Sequence, residues 1–318
     1  MTAPDEFFIY LPAVDIPEIA IGPFGNNHDT SPWVLRGFQG LADTFIQPQT
    51  EKHPFQIGET FLNVNTTPRI VTIFLRVVPG AFATTSFQLR NLLSRSMMVQ
   101  QITPREPGDA PDLGVLRYFR DGFIPVQLRV IPRSSPRLTF FGRPDKVFDA
   151  ELEFFAPFPY WEEVTTNTVN FLPGSMIPEA NELQFPFEFP FEFEQTVFDF
   201  STTQSINNTG DVRTPITVQV FGLIENGFNL INNTTGETIA ITGELRQNDI
   251  IEIKTEFGQK SVTLISGGVR TSAMSRVDFE TTVFWELEKG VNSVTFEAFN
   301  AGNEAKAVLT YKNRFAGV

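Results

Sequence analysis

Residues 183–223, LQFPFEFPFEFEQTVFDFSTTQSINNTGDVRTPITVQVFGL, decide how the chain is divided. Phenylalanine stands at every second position from Phe185 through Phe187, Phe189 and Phe191 to Phe193, then again at Phe198 and Phe200. A period of two places those rings on one face of a β-strand, with Pro186, Glu188, Pro190, Glu192 and Glu194 on the other. Two prolines of one parity remove two amide donors from the same side, which then cannot complete a hydrogen-bond ladder. The segment is expected to be an edge strand or an extended connector. A polar loop over 206–215 and an alternating strand over 216–221 follow. One body gives way to another here, with the boundary near Gln184.

The totals support two bodies. A chain of 318 residues is long for one domain and gives each half enough residues for a core. With no cysteine, disulfides, thiolate metal sites and thiol nucleophiles are excluded together. The net charge of −13 is shared unevenly. Residues 1–163 carry 14 Lys and Arg against 18 Asp and Glu, and residues 164–318 carry 10 against 19. An acidic surface opposes nucleic acid and anionic membranes, because phosphate binding needs clustered Lys and Arg. In the first half 12 of the 14 basic residues are Arg, the side chain whose planar fork is enriched at protein interfaces. The N-terminus, acidic and broken by proline, reads as neither signal peptide nor membrane span, so a soluble chain made in a cytoplasm is expected. The 34 Phe, 22 Gly and 23 Pro suit short strands joined by turns.

Along the first half, residues 1–60 are irregular, with short strands at FFIYLPAV and around 33–37, and GETFLNVNTTPR reads as loop. The near-continuous apolar run 70–78 predicts a strand buried on both faces. Residues 81–99 predict a helix, capped by Thr84 or Thr85, with Leu89, Leu92, Leu93 and Ser96/Met97 as its apolar stripe. A turn-rich loop over 104–114 precedes strands at 116–121, 123–130 and 147–155. This is a mainly β unit of α+β type. The bridge 164–184 leads to a second half with strands expected at 216–221, 228–232, 238–241, 249–254, 261–265, 282–287, 292–298 and 307–311. That rhythm predicts an antiparallel β-sandwich.

Little in the sequence points to chemistry. His28 and His53 stand apart on polar segments, no Asp-rich calcium loop occurs, and no glycine-rich phosphate loop opens a helix. Paired carboxylates of a glycosidase would have to come from Glu188, Glu192 and Glu194 or from Glu286 and Glu288. Glutamates along a strand edge more often prevent aggregation, and this is the favoured reading. No GxSxG elbow supports a serine hydrolase. Sugar binding without catalysis would need an exposed aromatic platform. Trp285 is the candidate, followed by Trp161 and Trp33, although ordinary packing is the simpler role for Trp285. The sequons at Asn65, Asn207, Asn232 and Asn233 are read as turn chemistry.

Several phrases in order resemble the distal tail protein family of long-tailed bacteriophages. TPRIVTIFLRV (67–77) is similar to that family's first core strand, FQLRNLLSRSM (87–97) to its helix, and FGRPDKVFDAELEFFAPFPYWEE (141–163) to its closing strands. FPFEFPFEF with INNTGDVRTPITVQVFG resembles the start of the family's C-terminal sandwich, and FWELEKGVNSVTF and YKNRFAGV its end. The resemblance implies an N-terminal belt domain at 1–163, a linker at 164–184 and a galectin-like sandwich at 185–318. It further implies a hexameric ring that joins the tail tube to the tail-tip hub, carries receptor-binding proteins, and has no cofactor and no catalytic residue. The ring is expected to use the first half, with Arg76, Arg90, Arg95, Arg105, Arg117 and Arg120 as candidate interface residues. A virion protein assembled in the host cytoplasm follows. The alternatives are a glycan-binding tail or adhesin module acting through the sandwich, and a tail-associated hydrolase.

Overall fold

The computed structural model describes residues 6–12, 17–22, 32–42, 46–78, 85–98, 113–141, 147–173 and 198–318. The Phe-rich repeat 185–193, Glu188, Glu192, Glu194, His28 and Arg105 lie outside them. The chain divides into two units, Met1–Thr165 with Arg314–Val318, and Thr166–Asn313.

In the first unit β1 (Glu6–Leu11), β2 (Ile19–Ile21), β3 (Trp33–Gln39), β4 (Ile46–Glu51), β5 (Thr60–Thr66) and β6 (Arg69–Val77) precede helix α1 (Ser86–Ser96). β7 (Gly114–Arg120), β8 (Val126–Pro132), β9 (Arg137–Phe140), β10 (Phe148–Ala156) and β11 (Trp161–Glu163) follow. The main sheet runs β2-β1-β7-β8-β10-β6-β3. Its two ends meet where Gly22, next to β2, bridges Val34 of β3 through Gly22 N to Trp33 O (3.2 Å) and Leu35 N to Gly22 O (3.0 Å). A sheet that closes in this way hides its own edges.

β6 and β10 pair over nine residues each, from Phe148↔Val77 to Ala156↔Arg69. On β6 the inward positions Val71, Ile73, Leu75 and Val77 are fully buried, whereas Ile70, Thr72, Phe74 and Arg76 are half-buried. The run expected to be buried on both faces is therefore fully buried on one. Its other face carries cross-strand charge pairing, with Arg76 opposite Asp149. Each inward aliphatic contributes roughly 1.5–3 kcal/mol by leaving water.

Helix α1 is shorter than the expected span and is capped by Thr85. Gln88 N donates to Thr85 Oγ1 (3.3 Å) and Thr85 N to Gln88 Oε1 (3.0 Å), a reciprocal capping box. Leu89, Leu93 and Met97 enter the core among the strands, and the Tyr10 hydroxyl donates to Ser96 O (3.2 Å). β4 and β5 form a separate two-stranded sheet. They occupy a region read from sequence as loop.

The second unit has β12 (Asn167–Phe171), β13 (Phe198–Asn208), β14 (Ile216–Phe221), β15 (Phe228–Asn232), β16 (Glu237–Ile241) and β17 (Ile250–Lys254). β18 (Ser261–Ser266), β19 (Val269–Ser272), β20 (Gly290–Ala301) and β21 (Lys306–Tyr311) complete it. The antiparallel sheets β12-β21-β14-β17-β18-β19 and β13-β20-β15-β16 share one core, which holds Val218, Ile253 and Leu309 from one and Phe200, Leu230 and Phe296 from the other. This is the expected sandwich, with side chains alternating in and out along strands such as β14 and β15.

Four expectations differ. The bridge 164–184 contains β12, which pairs with β21 from Asn167↔Tyr311 to Phe171↔Ala307. The polar loop begins later than residue 206, because Ile206, Asn207 and Asn208 continue β13 opposite Asn292, Val291 and Gly290. Only then does the Asn208 side chain turn the backbone, accepting from Gly210 N (3.0 Å) and donating to Val212 O (2.9 Å). Residues 282–287 form no regular strand. Bridges Thr238↔Thr282 and Thr214↔Leu287 hold the ends while Trp285 and Leu287 sink into the core. Finally, β22 (Arg314–Phe315) pairs with β11 in the first unit, although YKNRFAGV was read as the end of the sandwich.

Candidate functional site

The indoles considered as a sugar platform are packed inside, the role favoured for Trp285. Trp285 is 2% exposed and its Nε1 donates to Leu230 O (3.2 Å), inside the sandwich core. Trp161 is 0% and Trp33 4% exposed, and Trp161 Nε1 donates to Leu41 O (3.1 Å). An indole whose faces are covered by core side chains cannot stack on a ligand. Of the carboxylates considered for hydrolysis, Glu288 is in an ion pair with Arg213 (2.6 Å). Among the described residues no group of three or more His, Asp or Glu could hold a metal ion. No helix among them is long and apolar enough to cross a membrane.

The candidate arginines fall into two groups in the first unit. Arg76 grips Asp149 with both fork nitrogens (2.7 and 3.0 Å) and lies 5.6 Å from the Phe141 ring. Arg90 of α1 lies 5.2 Å from the adjacent Phe140, so these two cations flank the end of β9. Both phenylalanines are exposed, so the pair of rings with its two guanidiniums is a surface feature. Arg117 and Arg120 share β7. Arg120 Nε is 3.4 Å from Glu6 Oε1, too far for a good hydrogen bond, and its guanidinium covers Phe123 at 4.6 Å. The Nε atoms of Arg90, Arg117 and Arg120 are buried without a hydrogen-bond acceptor. Arg95 occupies the last turn of α1, where a cation suits the helix dipole.

Beside Arg120 lies a hollow of about 440 Å³, lined by Tyr118, Phe123, Ile124, Val126 and Phe315. Burial pushes the Tyr118 hydroxyl up to about 12, helped by the nearby Glu6 carboxylate. The floor is fixed by the returning C-terminal residues. Arg314 bonds Glu162 through Nε (3.1 Å) and Nη2 (2.6 Å), a pair almost removed from water, and Arg129 approaches the other carboxylate oxygen at 3.8 Å. In the second unit, a shallow depression at Asn229, Glu237, Thr238, Asp278 and Thr281 is polar and lacks an aromatic wall.

Two features were not singled out from the sequence. Arg69 is 1% exposed and donates to four carbonyls: Nε to Pro159 O (2.7 Å), Nη1 to Gly40 O (3.0 Å) and Leu41 O, and Nη2 to Ala316 O. It ties four chain segments together. The second is the β4–β5 hairpin, whose tip displays Phe55 and Ile57 with no cover. Its signal was the alternating TFLNVNT after a His-Pro turn.

Comparison with known proteins shows what the chain is similar to. Residues 209–315 match the family model of the siphovirus-type tail component, C-terminal domain. The whole fold is similar to that of the SPP1 Dit (gp 19.1) protein, described as a paradigm of the hub adsorption apparatus in Gram-positive infecting phages. The match has a TM-score of 0.59 at 10% identity and covers 97% of this chain and 99% of that one. A weaker likeness links it to the phage P2 baseplate in its activated conformation with Ca, with a TM-score of 0.49 at 11% identity, over 98% and 99% of the two chains. No curated protein sequence matches the chain. The sequence of residues 209–315 and the fold of almost the whole chain thus agree on the phage distal tail proteins that the sequence resembles.

Proposed function

We propose that this chain is a structural protein of a long-tailed phage virion. It forms a hexameric distal tail ring that joins the tail tube to the tail-tip or baseplate hub and anchors receptor-binding proteins. In this reading the first unit is the ring-forming belt, the second is a galectin-like sandwich, and neither carries a reaction of its own. The observation that carries it is the end-to-end fold likeness to a phage hub protein together with a tail-component domain at 209–315. The acidic balance of −13 also favours protein partners over nucleic acid or anionic lipid. The buried indoles remove the specific ground for the glycan-binding alternative. Negative-stain microscopy of the purified chain, alone and mixed with its tail tube protein, tests the reading. Rings with sixfold class averages are expected. Single, unassociated particles in both preparations would overturn it.

A further inference from the structure

Among the described residues the hairpin β4–β5 stands apart from the main sheet, meeting it at the hairpin's base where Thr66 Oγ1 lies 3.3 Å from the Tyr160 hydroxyl. Neither strand pairs with any strand but the other, and the described side chains from 47 to 66 are exposed except for half-buried Gln56. An isolated two-stranded hairpin is marginal in water, and apolar side chains at its tip make it more so. Yet Phe55 is 105% and Ile57 103% exposed, with Phe61 and Leu62 behind them at 60% and 57%. Phe55 also has φ 70°, a left-handed conformation that a bulky residue rarely adopts. The loop holds that conformation with Gln56 Nε2 donating to Thr60 Oγ1 (2.8 Å) and His53 N donating to Gln56 Oε1 (3.2 Å). Strain and exposure thus coincide at one ring, and the chain itself recovers neither. At about 3.3 Å per residue, the arm reaches roughly 30 Å from Ile46 to that ring.

The same unit carries a receptor of matching chemistry, the 440 Å³ hollow walled by Tyr118, Phe123, Ile124, Val126 and Phe315. Phe123 and Ile124 are 62% and 52% exposed at its mouth. On its rim the guanidinium of Arg120, already 3.4 Å from Glu6 at Nε, presents a partly exposed cation, and Glu51 and Glu59 flank Phe55 at four residues on either side. We propose that the β4–β5 arm of one copy inserts Phe55 into the hollow at Phe123 and Ile124 of the next copy. Donor and acceptor are different surfaces of one chain, so the contact is head-to-tail, the type that closes into a ring. The proposal deepens the ring reading above by naming the residues that would join neighbouring subunits.

The natural chain lacks cysteine, so two full-length single-cysteine variants, Pro54→Cys and Ile124→Cys, can be mixed and treated with a short bis-maleimide. A cross-linked pair containing one chain of each kind is expected, with little product from either variant alone. Phe55→Ser should leave the melting temperature of the chain unchanged and weaken self-association at least tenfold. A sixfold mass without the mixed cross-link would overturn the arm contact and leave the ring reading standing. A mixed cross-link in a complex that never reaches six copies would support the contact and overturn the hexamer. In a variant carrying both cysteines, a cross-link only at monomer mass would place the arm on its own hollow and overturn the proposal. A monomer without any cross-link would overturn both.

Discussion

Arg69 shows why one charged residue can be committed to a core. Its guanidinium is 1% exposed, and four carbonyl oxygens from three distant segments accept its protons. Lysine keeps the charge but replaces a planar fork with a single point, so it cannot reach all four. Arg69→Lys is expected to destabilise the first unit by about 3 kcal/mol, since each bond to a charged donor contributes roughly 1.5–3. Denaturant unfolding followed by Trp33 and Trp161 fluorescence measures this. Tyr118 supplies a pH dependence. Its pKa is raised from 10.0 to about 12, chiefly by burial, so the folded state holds the proton more tightly than the unfolded chain. The associated stability is fully present below pH 10 and is lost as pH climbs from there toward about 12. The buried Tyr10 hydroxyl is raised for the same reason and adds to the slope. Denaturation midpoints should fall across that window, and Tyr118→Phe should flatten the fall.

Among the elements, those with strong local patterns were legible. β14 coincides with the alternating strand expected at 216–221, and α1 follows from its leucine stripe and Thr85 cap. Removing that cap by Thr85→Ala should cost about 1 kcal/mol in the thermal stability of the first unit. β12, β13 beyond Ile206 and β22 were not legible, for one physical reason. Each carries too short an apolar pattern to stand out and is fixed by a partner far away in sequence: β21, β20 and β11. Residues 282–287 show the converse. Their alternation TTVFWELE promised a strand, but the pattern recorded which side chains go inward and not whether the backbone pairs along its length. The hairpin β4–β5 was missed because its apolar side chains cover no core, so the usual link between hydrophobic pattern and burial is absent. Trp285 failed as a ligand platform on the opposite ground, since a tryptophan within an alternating segment is as readily a core residue as a surface one.

At the scale of the whole molecule, two β units leave few obvious sites for chemistry and several for assembly. The first closes its main sheet and exposes apolar groups at an arm, at a hollow and at the Phe140–Phe141 pair; the second packs two sheets on one core. Composition excluded thiol chemistry, because the chain has no cysteine, and the charge balance weighed against phosphate binding. Ring closure depends on the curvature between copies, which no single chain encodes locally, so it entered through the family resemblance. Light scattering of the purified full-length chain tests that central claim most directly. The account predicts a concentration-stable species of six times 35.8 kDa. A mass of 35.8 kDa at every concentration, with or without the tail tube protein, would contradict it.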